Sequence, residues 1–182
     1  LRLHRPPIAD HLHLVDHAVD FELFCKPDAP CPPDLEGLPR PIIGYHGYLD
    51  ERFDRRLMID AARLRPDWSF VAVGDALLDF REWESLPNVH RIGFRPAERI
   101  GDYVNQFDIG IVPYRVYERT RDGNPLKVKE YLAAGLPVLA PGIPAMNLYG
   151  ELVHVYKNPE TFIESAEQAL TETQSAWVQK RR

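Results

Sequence analysis

The 182-residue sequence has little cysteine, an excess of acidic over basic side chains, and no long apolar run free of proline and glycine. Two cysteines, Cys25 and Cys31, are too few for a disulfide framework, and their spacing is not that of a zinc site. We therefore expect a reducing, cytoplasmic setting, although a disulfide between the two stays open. The 22 basic and 27 acidic residues give a formal net charge of −5. This balance argues against nucleic acid as the main partner, because phosphate backbones require clustered Lys and Arg.

One segment, residues 132–150, is charge-free for long enough to suggest a membrane span. Its three prolines and three glycines would leave the backbone of a spanning helix unsatisfied in lipid. Residues 1–7 lack the apolar core of a secretory signal peptide. The sequence thus predicts neither a transmembrane segment nor a signal peptide.

Short apolar runs alternate with helical patterns from Pro41 onward. The predicted strands are residues 42–47, 68–74, 89–94, 109–113, 138–140 and 154–156. The predicted helices are residues 54–64, 96–107, 125–134 and 159–170. Continuous apolar strands separated by helices are typical of a parallel sheet covered on both faces. We therefore predict a doubly wound, Rossmann-like α/β fold, with its ligand beyond the carboxyl ends of the strands.

The most informative segment, residues 120–131, joins a predicted strand to a predicted helix. Within it, Asp122 precedes a glycine in a tight turn, Asn124 is a natural N-cap, and Pro125 suits the first helical position. Gly135 is placed to end the helix. The sequence thus predicts a helix N-terminus at the ligand-facing edge of the sheet.

Two lysines occupy unusual positions at the start of this helix. The helix dipole disfavours cations there, so Lys127 and Lys129 are best explained if an anion binds beside them. Glu130 lies on the same face as Lys127, and its carboxylate can accept two hydrogen bonds from a vicinal diol such as that of a ribose. Together these features describe a nucleoside diphosphate site. A simpler alternative stays open, in which Lys127 pairs with Glu130 or stacks on Tyr131 and both side chains are merely exposed.

Residues 124–138 read NPLKVKEYLAAGLPV. This run resembles the donor-binding segment of group 1 glycosyltransferases of the GT-B fold, in the branch that carries NPLK-x-x-EYLAAG-x-PV. Further similar blocks keep the family's order and spacing: residues 19–24, 43–47, 53–54, 65–70, 86–90 and 107–110. The resemblance spans about residues 12–170.

The resemblance implies a domain organisation. The family has two Rossmann-like domains, and this chain is similar to the second, donor-binding one. Residues 1–40 would be the linker and first strand after an N-terminal domain, with the alternating run at residues 11–15 as that strand. Residues 41–171 would be the nucleotide-sugar donor-binding domain and residues 172–182 a C-terminal tail. The chain alone would then be inactive.

The resemblance also implies roles for single residues. Glu130 matches the glutamate that binds the ribose hydroxyls. Asp122 falls where the family has a glutamate that contacts the donor sugar, and it is one methylene shorter. With Lys127 beside the diphosphate, these residues form the expected catalytic set. The other expected donor-binding residues are Gly47, Tyr48, Arg52, Arg95, Arg121, Asn124, Pro125 and Leu126.

These further assignments have distinct reasons. Backbone N–H groups around Asn124, Leu126 and Lys127 would cradle the diphosphate, and Gly47 would let its loop approach the phosphates closely. Many relatives have a basic residue where Tyr48 stands, so Lys127 would supply the charge that is missing there, with Arg121 as a second candidate. Arg52 is the basic residue nearest to this position, and it is either a donor contact or a solvated residue at a helix start. The nucleotide base would lie near residues 93–95. Among the seven histidines, His46 is the one placed directly at this edge of the sheet.

The activity implied by the resemblance is metal-independent, retaining transfer of a hexosyl group from a UDP- or GDP-linked sugar to a glycan or lipid-linked acceptor. No cofactor or metal is expected, and the acceptor would bind through the N-terminal domain. The setting would be polysaccharide biosynthesis in the cytoplasm or at the inner face of the membrane. A nucleotide-sugar epimerase-like protein and a non-enzymatic nucleotide-binding module stay open as alternatives. A dinucleotide-dependent oxidoreductase is disfavoured because residues 44–47 lack the G-x-G-x-x-G spacing.

Overall fold

The computed structural model describes residue 13 and residues 15–171, and its six strands form one parallel sheet. The strands are β1 (Ile42–His46), β2 (Ser69–Val73), β3 (Val89–Arg91), β4 (Ile109–Ile111), β5 (Val138–Pro141) and β6 (Val153–Tyr156). They lie in the order β3-β2-β1-β4-β5-β6. Because the order reverses between β1 and β4, a crevice opens at the carboxyl ends of these two strands.

Seven α-helices of the described residues flank the sheet. They are α1 (Phe21–Phe24), α2 (Arg55–Leu64), α3 (Arg81–Glu84), α4 (Ala97–Val104), α5 (Glu118–Arg121), α6 (Leu126–Ala133) and α7 (Pro159–Thr171). Helix α1 packs against α4 and α6, whereas α2 packs against α3 and α7. Short 3₁₀ turns lie at Pro33–Leu35, Pro144–Leu148 and Gly150–Leu152. This arrangement confirms the predicted doubly wound α/β fold.

The central strands explain how α6 comes close to the crevice. Every residue of β1 and β2 is buried, as expected of strands covered on both faces. Gly44 of β1 and Gly110 of β4 are paired in register. A Cβ on Gly110 would lie 2.3 Å from the ring of Tyr131, and one on Gly44 would lie 2.1 Å from that of Phe107. The two glycines therefore let a helix α6 side chain and the ring before β4 pack directly on the sheet.

Several boundaries differ from the predictions. Strand β3 ends at Arg91, before Gly93 takes a positive φ of 58°, and β4 ends at Ile111, before the proline that follows. The four-residue helices α1, α3 and α5 were not predicted because they are too short to show helical periodicity. Most of the predicted strand at residues 11–15 and the predicted tail at 172–182 lie outside the described residues. Among the described helices, none is long and apolar enough to cross a membrane.

Candidate functional site

Two glycine turns meet at the carboxyl end of β1. Gly47 follows β1 with a φ of +117°, and Gly74 follows β2 with a φ of +143°. The Gly47 N–H donates to the Val73 carbonyl at 2.8 Å. A Cβ on Gly74 would lie 2.3 Å from the Gly47 carbonyl oxygen, and a Cβ on Gly47 would lie 2.8 Å from Lys127 Nζ. The backbone of Gly47 thus leaves no room for a side chain at Gly74, and the Lys127 ammonium group lies where a side chain at Gly47 would begin.

The start of helix α6 differs by one residue from the prediction. Helix α6 begins at Leu126, with Pro125 at the N-cap position and no side chain capping the helix. The prediction that Asn124 caps it is wrong, because its side chain is held elsewhere: Oδ1 accepts from the Tyr149 hydroxyl at 3.1 Å, and Nδ2 donates to the Asp16 carboxylate at 3.2 Å. The end of the helix is as predicted, since Gly135 follows the C-cap with a φ of 80°.

The consequence is an uncapped helix N-terminus. The first N–H groups of any α-helix have no acceptor within the helix, and here no side chain supplies one. Leu126 and Lys127 contribute the first two of these groups. The positive end of the helix dipole is therefore available to an anion.

Lys127 and Lys129 lie two residues apart on α6 but in different environments. Lys127 Nζ lies 5.3 Å from the centroid of the Tyr45 ring, and no described carboxylate forms an ion pair with it. Lys129 Nζ instead pairs with Asp16 at 2.7 Å and donates to the His17 carbonyl at 2.6 Å. The alternative in which Lys127 pairs with Glu130 is therefore wrong, and the expected anion site has one lysine rather than two.

Glu130 lies beside a buried histidine that the sequence placed at the same edge. His46 Nε2 is 3.1 Å from Glu130 Oε2, and their side chains are only 10% and 15% exposed. The two groups are close enough for an ion pair but are not aligned as a hydrogen bond. Burial lowers the pKa of His46, with Lys127 acting in the same direction and Glu130 opposing it. The backbone N–H of His46 donates to the Tyr131 hydroxyl at 3.2 Å, and this hydrogen bond connects β1 to α6.

Arg52, expected to supply charge to the phosphates, is engaged by a carboxylate in its own loop. Its Nε lies 3.0 Å from both carboxylate oxygens of Asp50, and one terminal nitrogen lies 2.6 Å from Oδ2. Although burial alone would raise the pKa of Asp50, the hydrogen bonds from Arg52 bring it below the usual range. The Arg52 charge is therefore largely compensated within the loop.

The Arg95 guanidinium is also held by hydrogen bonds within the protein, whereas the neighbouring Phe94 side chain is exposed. The Arg95 guanidinium donates to the Tyr103 hydroxyl at 2.7 Å, to the Asp34 carboxylate at 2.9 Å and to the Phe94 carbonyl at 2.8 Å. The Phe94 ring is 61% exposed. It lines a cavity of about 220 Å³ together with Gly47, Tyr48 and Arg95. This cavity begins directly beside the first glycine turn.

Arg121 and Asp122 lie on the surface at the end of helix α5. Their side chains are 60% and 61% exposed and approach each other at 3.5 Å. No hydrogen bond or ion pair joins Asp122 to Lys127 or Glu130 in the part of the chain that the structure describes. The structure therefore brings together Gly47, Lys127 and the start of α6, but leaves Asp122 outside this group.

Two further observations concern metals and thiols. Within residues 13 and 15–171, no three His, Cys, Asp or Glu side chains are grouped so as to hold a metal ion. Cys25 and Cys31 are both free thiols.

Comparison with known proteins identifies the family. A family model described as "Glycosyl transferases group 1" matches residues 40–172. The chain belongs to this family. It is also 32% identical over 171 residues to a Bacillus subtilis (strain 168) protein named "Putative teichuronic acid biosynthesis glycosyltransferase TuaH", covering 88% of the chain and 43% of that relative.

Solved structures of this family's fold resemble the chain closely in shape. The Anabaena protein Alr3699/HepE in complex with UDP-glucose matches with a TM-score of 0.68 at 18% identity, covering 93% of this chain and 50% of that one. Sucrose-phosphate synthase from Thermosynechococcus elongatus matches with a TM-score of 0.66 at 17% identity, covering 90% and 44%. At these identities the likeness shows the fold alone. The chain thus spans half or less of the length of these relatives.

Proposed function

We propose that this chain is the donor-binding half of a glycosyltransferase that uses a UDP- or GDP-linked sugar. The observation that carries the proposal is an unpaired lysine, Lys127, whose ammonium group lies beside the backbone of Gly47 in the first turn of α6, a helix that no side chain caps. A cation next to free helix N–H groups forms a site for a phosphate group. That the Anabaena structure contains UDP-glucose supports the same ligand class here.

The rest of the nucleotide can be accommodated on either side of this point. Glu130 lies one turn along α6 with its carboxylate beside His46, where it would accept hydrogen bonds from the ribose diol. The cavity beneath Phe94 would take the base, with the exposed ring available for stacking. Because the Asp50 and Asp34 carboxylates engage Arg52 and Arg95, we propose neither guanidinium as a principal phosphate contact.

The proposed reaction is transfer of a hexosyl group to a glycan or lipid-linked acceptor. Lys127 and the N–H groups of α6 would stabilise the diphosphate as negative charge develops on it, which is how such a site accelerates departure of the leaving group. Metal-independent transfer with retention and membership of the NPLK branch remain proposals from the resemblance. Sugar contacts by Asp122 and Arg121 are also proposals, and both side chains would have to turn from the surface toward the donor.

The acceptor side is a proposal about the longer protein. Since the relatives are about twice as long as this chain, we propose that a second domain binds the acceptor and that the chain alone does not catalyse transfer. The polysaccharide setting rests on the name of the Bacillus relative. A cytoplasmic location, at the inner face of the membrane for a lipid-linked acceptor, rests on the low cysteine content.

The test compares two lysines on one helix. Calorimetry would measure the affinity of the chain for UDP, GDP and the corresponding nucleosides. Lys127→Ala should weaken binding of the preferred diphosphate roughly 10- to 100-fold, the value of a charge-assisted hydrogen bond, and leave the nucleoside nearly unchanged. Lys129→Ala removes the same charge from a lysine already paired with Asp16, so it should change neither affinity by more than about twofold. Equal losses in the two variants, or equal losses for diphosphate and nucleoside, would contradict the proposal.

A further inference from the structure

The carboxylate that we propose for the ribose, that of Glu130, has one partner within the described chain. Its Oε2 lies 3.1 Å from His46 Nε2, and both side chains are mostly buried. No other hydrogen bond or ion pair reaches this carboxylate from residue 13 or residues 15–171. A glutamate side chain has three rotatable bonds and is costly to order. His46 is therefore the group that can fix the direction in which the carboxylate points.

The imidazole of His46 is itself held in place by its surroundings. The backbone N–H of this residue, the last of β1, donates to the Tyr131 hydroxyl. The centroid of the imidazole ring lies 5.9 Å from that of Phe24 in α1 and 5.3 Å from that of Tyr131 in α6. Two helices thus hold the ring against the end of the sheet, and its orientation is set before any ligand binds.

The proton of this imidazole belongs on the nitrogen that faces Glu130. Burial lowers the pKa of His46, and the charge of Lys127 acts in the same direction, so the ring is neutral at pH 7. A neutral imidazole has one N–H, and an ionised carboxylate can only accept, so Nε2 is the donor.

The contact between the two groups lacks only alignment. Nε2 is buried and makes no aligned hydrogen bond, although its distance from Oε2 is already that of one. Buried polar atoms in native proteins are nearly always hydrogen-bonded. A change in the angle of the Glu130 side chain, with no change in distance, would complete the bond.

We infer that His46 is the positioning residue for ribose recognition: its Nε2–H holds one oxygen of the Glu130 carboxylate, and the carboxylate is thereby oriented toward the 2′- and 3′-hydroxyls. This inference rests on the proposed function. An ionised carboxylate has about four acceptor positions, so one bond to His46 leaves enough for a diol. A carboxylate that is already ordered loses less conformational freedom when the ligand binds. His46 thus acts through Glu130 and favours ribonucleotides over 2′-deoxyribonucleotides.

The test measures the affinity of the purified chain for the preferred nucleoside diphosphate and for its 2′-deoxy form by calorimetry. His46→Phe keeps an aromatic ring but removes the donor. His46→Gln keeps an N–H donor on a side chain of similar reach. His90→Phe is the matched control, because His90 is a half-buried histidine on β3, at the edge of the sheet.

We expect His46→Phe to weaken binding of the ribonucleotide roughly 3- to 10-fold, the cost of ordering one flexible side chain on binding. Binding of the deoxy form should change by less than about twofold, as should both affinities in His90→Phe. His46→Gln should return the ribonucleotide affinity to within about twofold of wild type. In a chain that already carries Glu130→Gln, His46→Phe should have no further effect, because the two residues act as one unit.

A measurement on the wild-type chain makes the test independent of how well the variants fold. Imidazole ¹⁵N NMR signals show which ring nitrogen carries the proton. We expect the proton of His46 on Nε2, and the ribonucleotide should shift the Nε2–H signal more than the deoxy form does. A proton on Nδ1, or equal shifts with the two nucleotides, would overturn the inference.

The calorimetric results that would overturn it are an unchanged affinity in His46→Phe, equal losses for the two nucleotides, or no recovery in His46→Gln. Failure of the proposed function would look different, because the wild-type chain would then bind no nucleoside diphosphate at all. Selective binding of the ribonucleotide that survives in His46→Phe would overturn this inference alone and leave the proposed function standing.

Discussion

The start of helix α6 and the loop after β1 each carry a cation, but only one of them is unpaired. Lys127 lies against Gly47 and the Tyr45 ring with no carboxylate partner among the described residues. Arg52 is bound by both oxygens of Asp50. Family resemblance favours a basic residue in the first loop, yet the available charge comes from the helix. The charge that a ligand can use therefore depends on which side chains are already paired, and not on how many are nearby.

The same contrast holds within α6. Lys129 is neutralised by Asp16, while Lys127 has no ion-pair partner among the described residues. In each case a single local partner decides between a structural ion pair and a binding group.

The largest effect should come from disturbing the first loop where its Gly47 packs against Gly74. Gly74→Ala places a Cβ 2.3 Å from the Gly47 carbonyl at a φ of +143°. We expect it to lower the free energy of unfolding by about 3 kcal/mol through combined strain and overpacking. Gly150→Ala is the control, since Gly150 also has a positive φ but nothing within 4 Å of its Cβ position, and it should cost about 1 kcal/mol. Urea denaturation would measure both, and equal losses would show that the contact is unimportant.

The next effect concerns the ribose. Glu130→Gln should weaken binding of the ribonucleoside diphosphate about tenfold, because one of two charged acceptors for the diol is replaced by a donor. The 2′-deoxy nucleotide, which lacks the diol, should bind wild type and variant with nearly equal affinity. Glu164→Gln on the opposite side of the sheet makes the same change on an exposed helix surface and should have no effect. A similar loss for the deoxy nucleotide would remove the proposed role of Glu130.

A smaller change in affinity should follow when Arg52 is freed from its carboxylate partner. Asp50→Asn removes the carboxylate that holds Arg52 and also lies in the field of Lys127. We expect the affinity for UDP or GDP to rise by about threefold, a part of one charge-assisted contact. Asp79→Asn releases Arg81 in the exposed loop after β2 and should leave that affinity unchanged. Calorimetric titration would show the difference, and a fall in affinity for Asp50→Asn would contradict the comparison.

The smallest effect is a pH dependence of stability. Burial lowers the pKa of His46 in the folded chain, so the unfolded chain binds the proton more tightly. The contribution of neutral His46 to the free energy of unfolding is therefore fully present above the unfolded His pKa of about 6.5. It is lost as the pH falls below that value, because the unfolded chain then takes up the proton first. His46→Phe keeps a ring between Phe24 and Tyr131 and should flatten the fall in unfolding free energy between about pH 7.5 and pH 5. His90→Gln tests a second histidine, which is half-buried and whose pKa burial also lowers. An unchanged pH profile in His46→Phe would rule out the effect.

Much of the fold could be predicted because it depends on local patterns. The apolar runs of β1 and β2, the helical spacing of apolar residues in α2, and the glycine that ends α6 are all visible in the sequence. Partnerships between distant residues could not be predicted. His46 and Glu130 meet only because β1 and α6 pack in a particular register, and Asn124 is drawn away from its capping role by Asp16 and Tyr149.

The most direct test of the central claim is to locate the diphosphate on the chain. Backbone amide NMR signals would be recorded during titration with the preferred nucleoside diphosphate and, separately, with its nucleoside. The diphosphate should shift the amides of Gly47, Leu126 and Lys127 most strongly, and the nucleoside should shift them little. Shifts centred elsewhere on the chain, or no difference between the two ligands at the start of α6, would contradict the account.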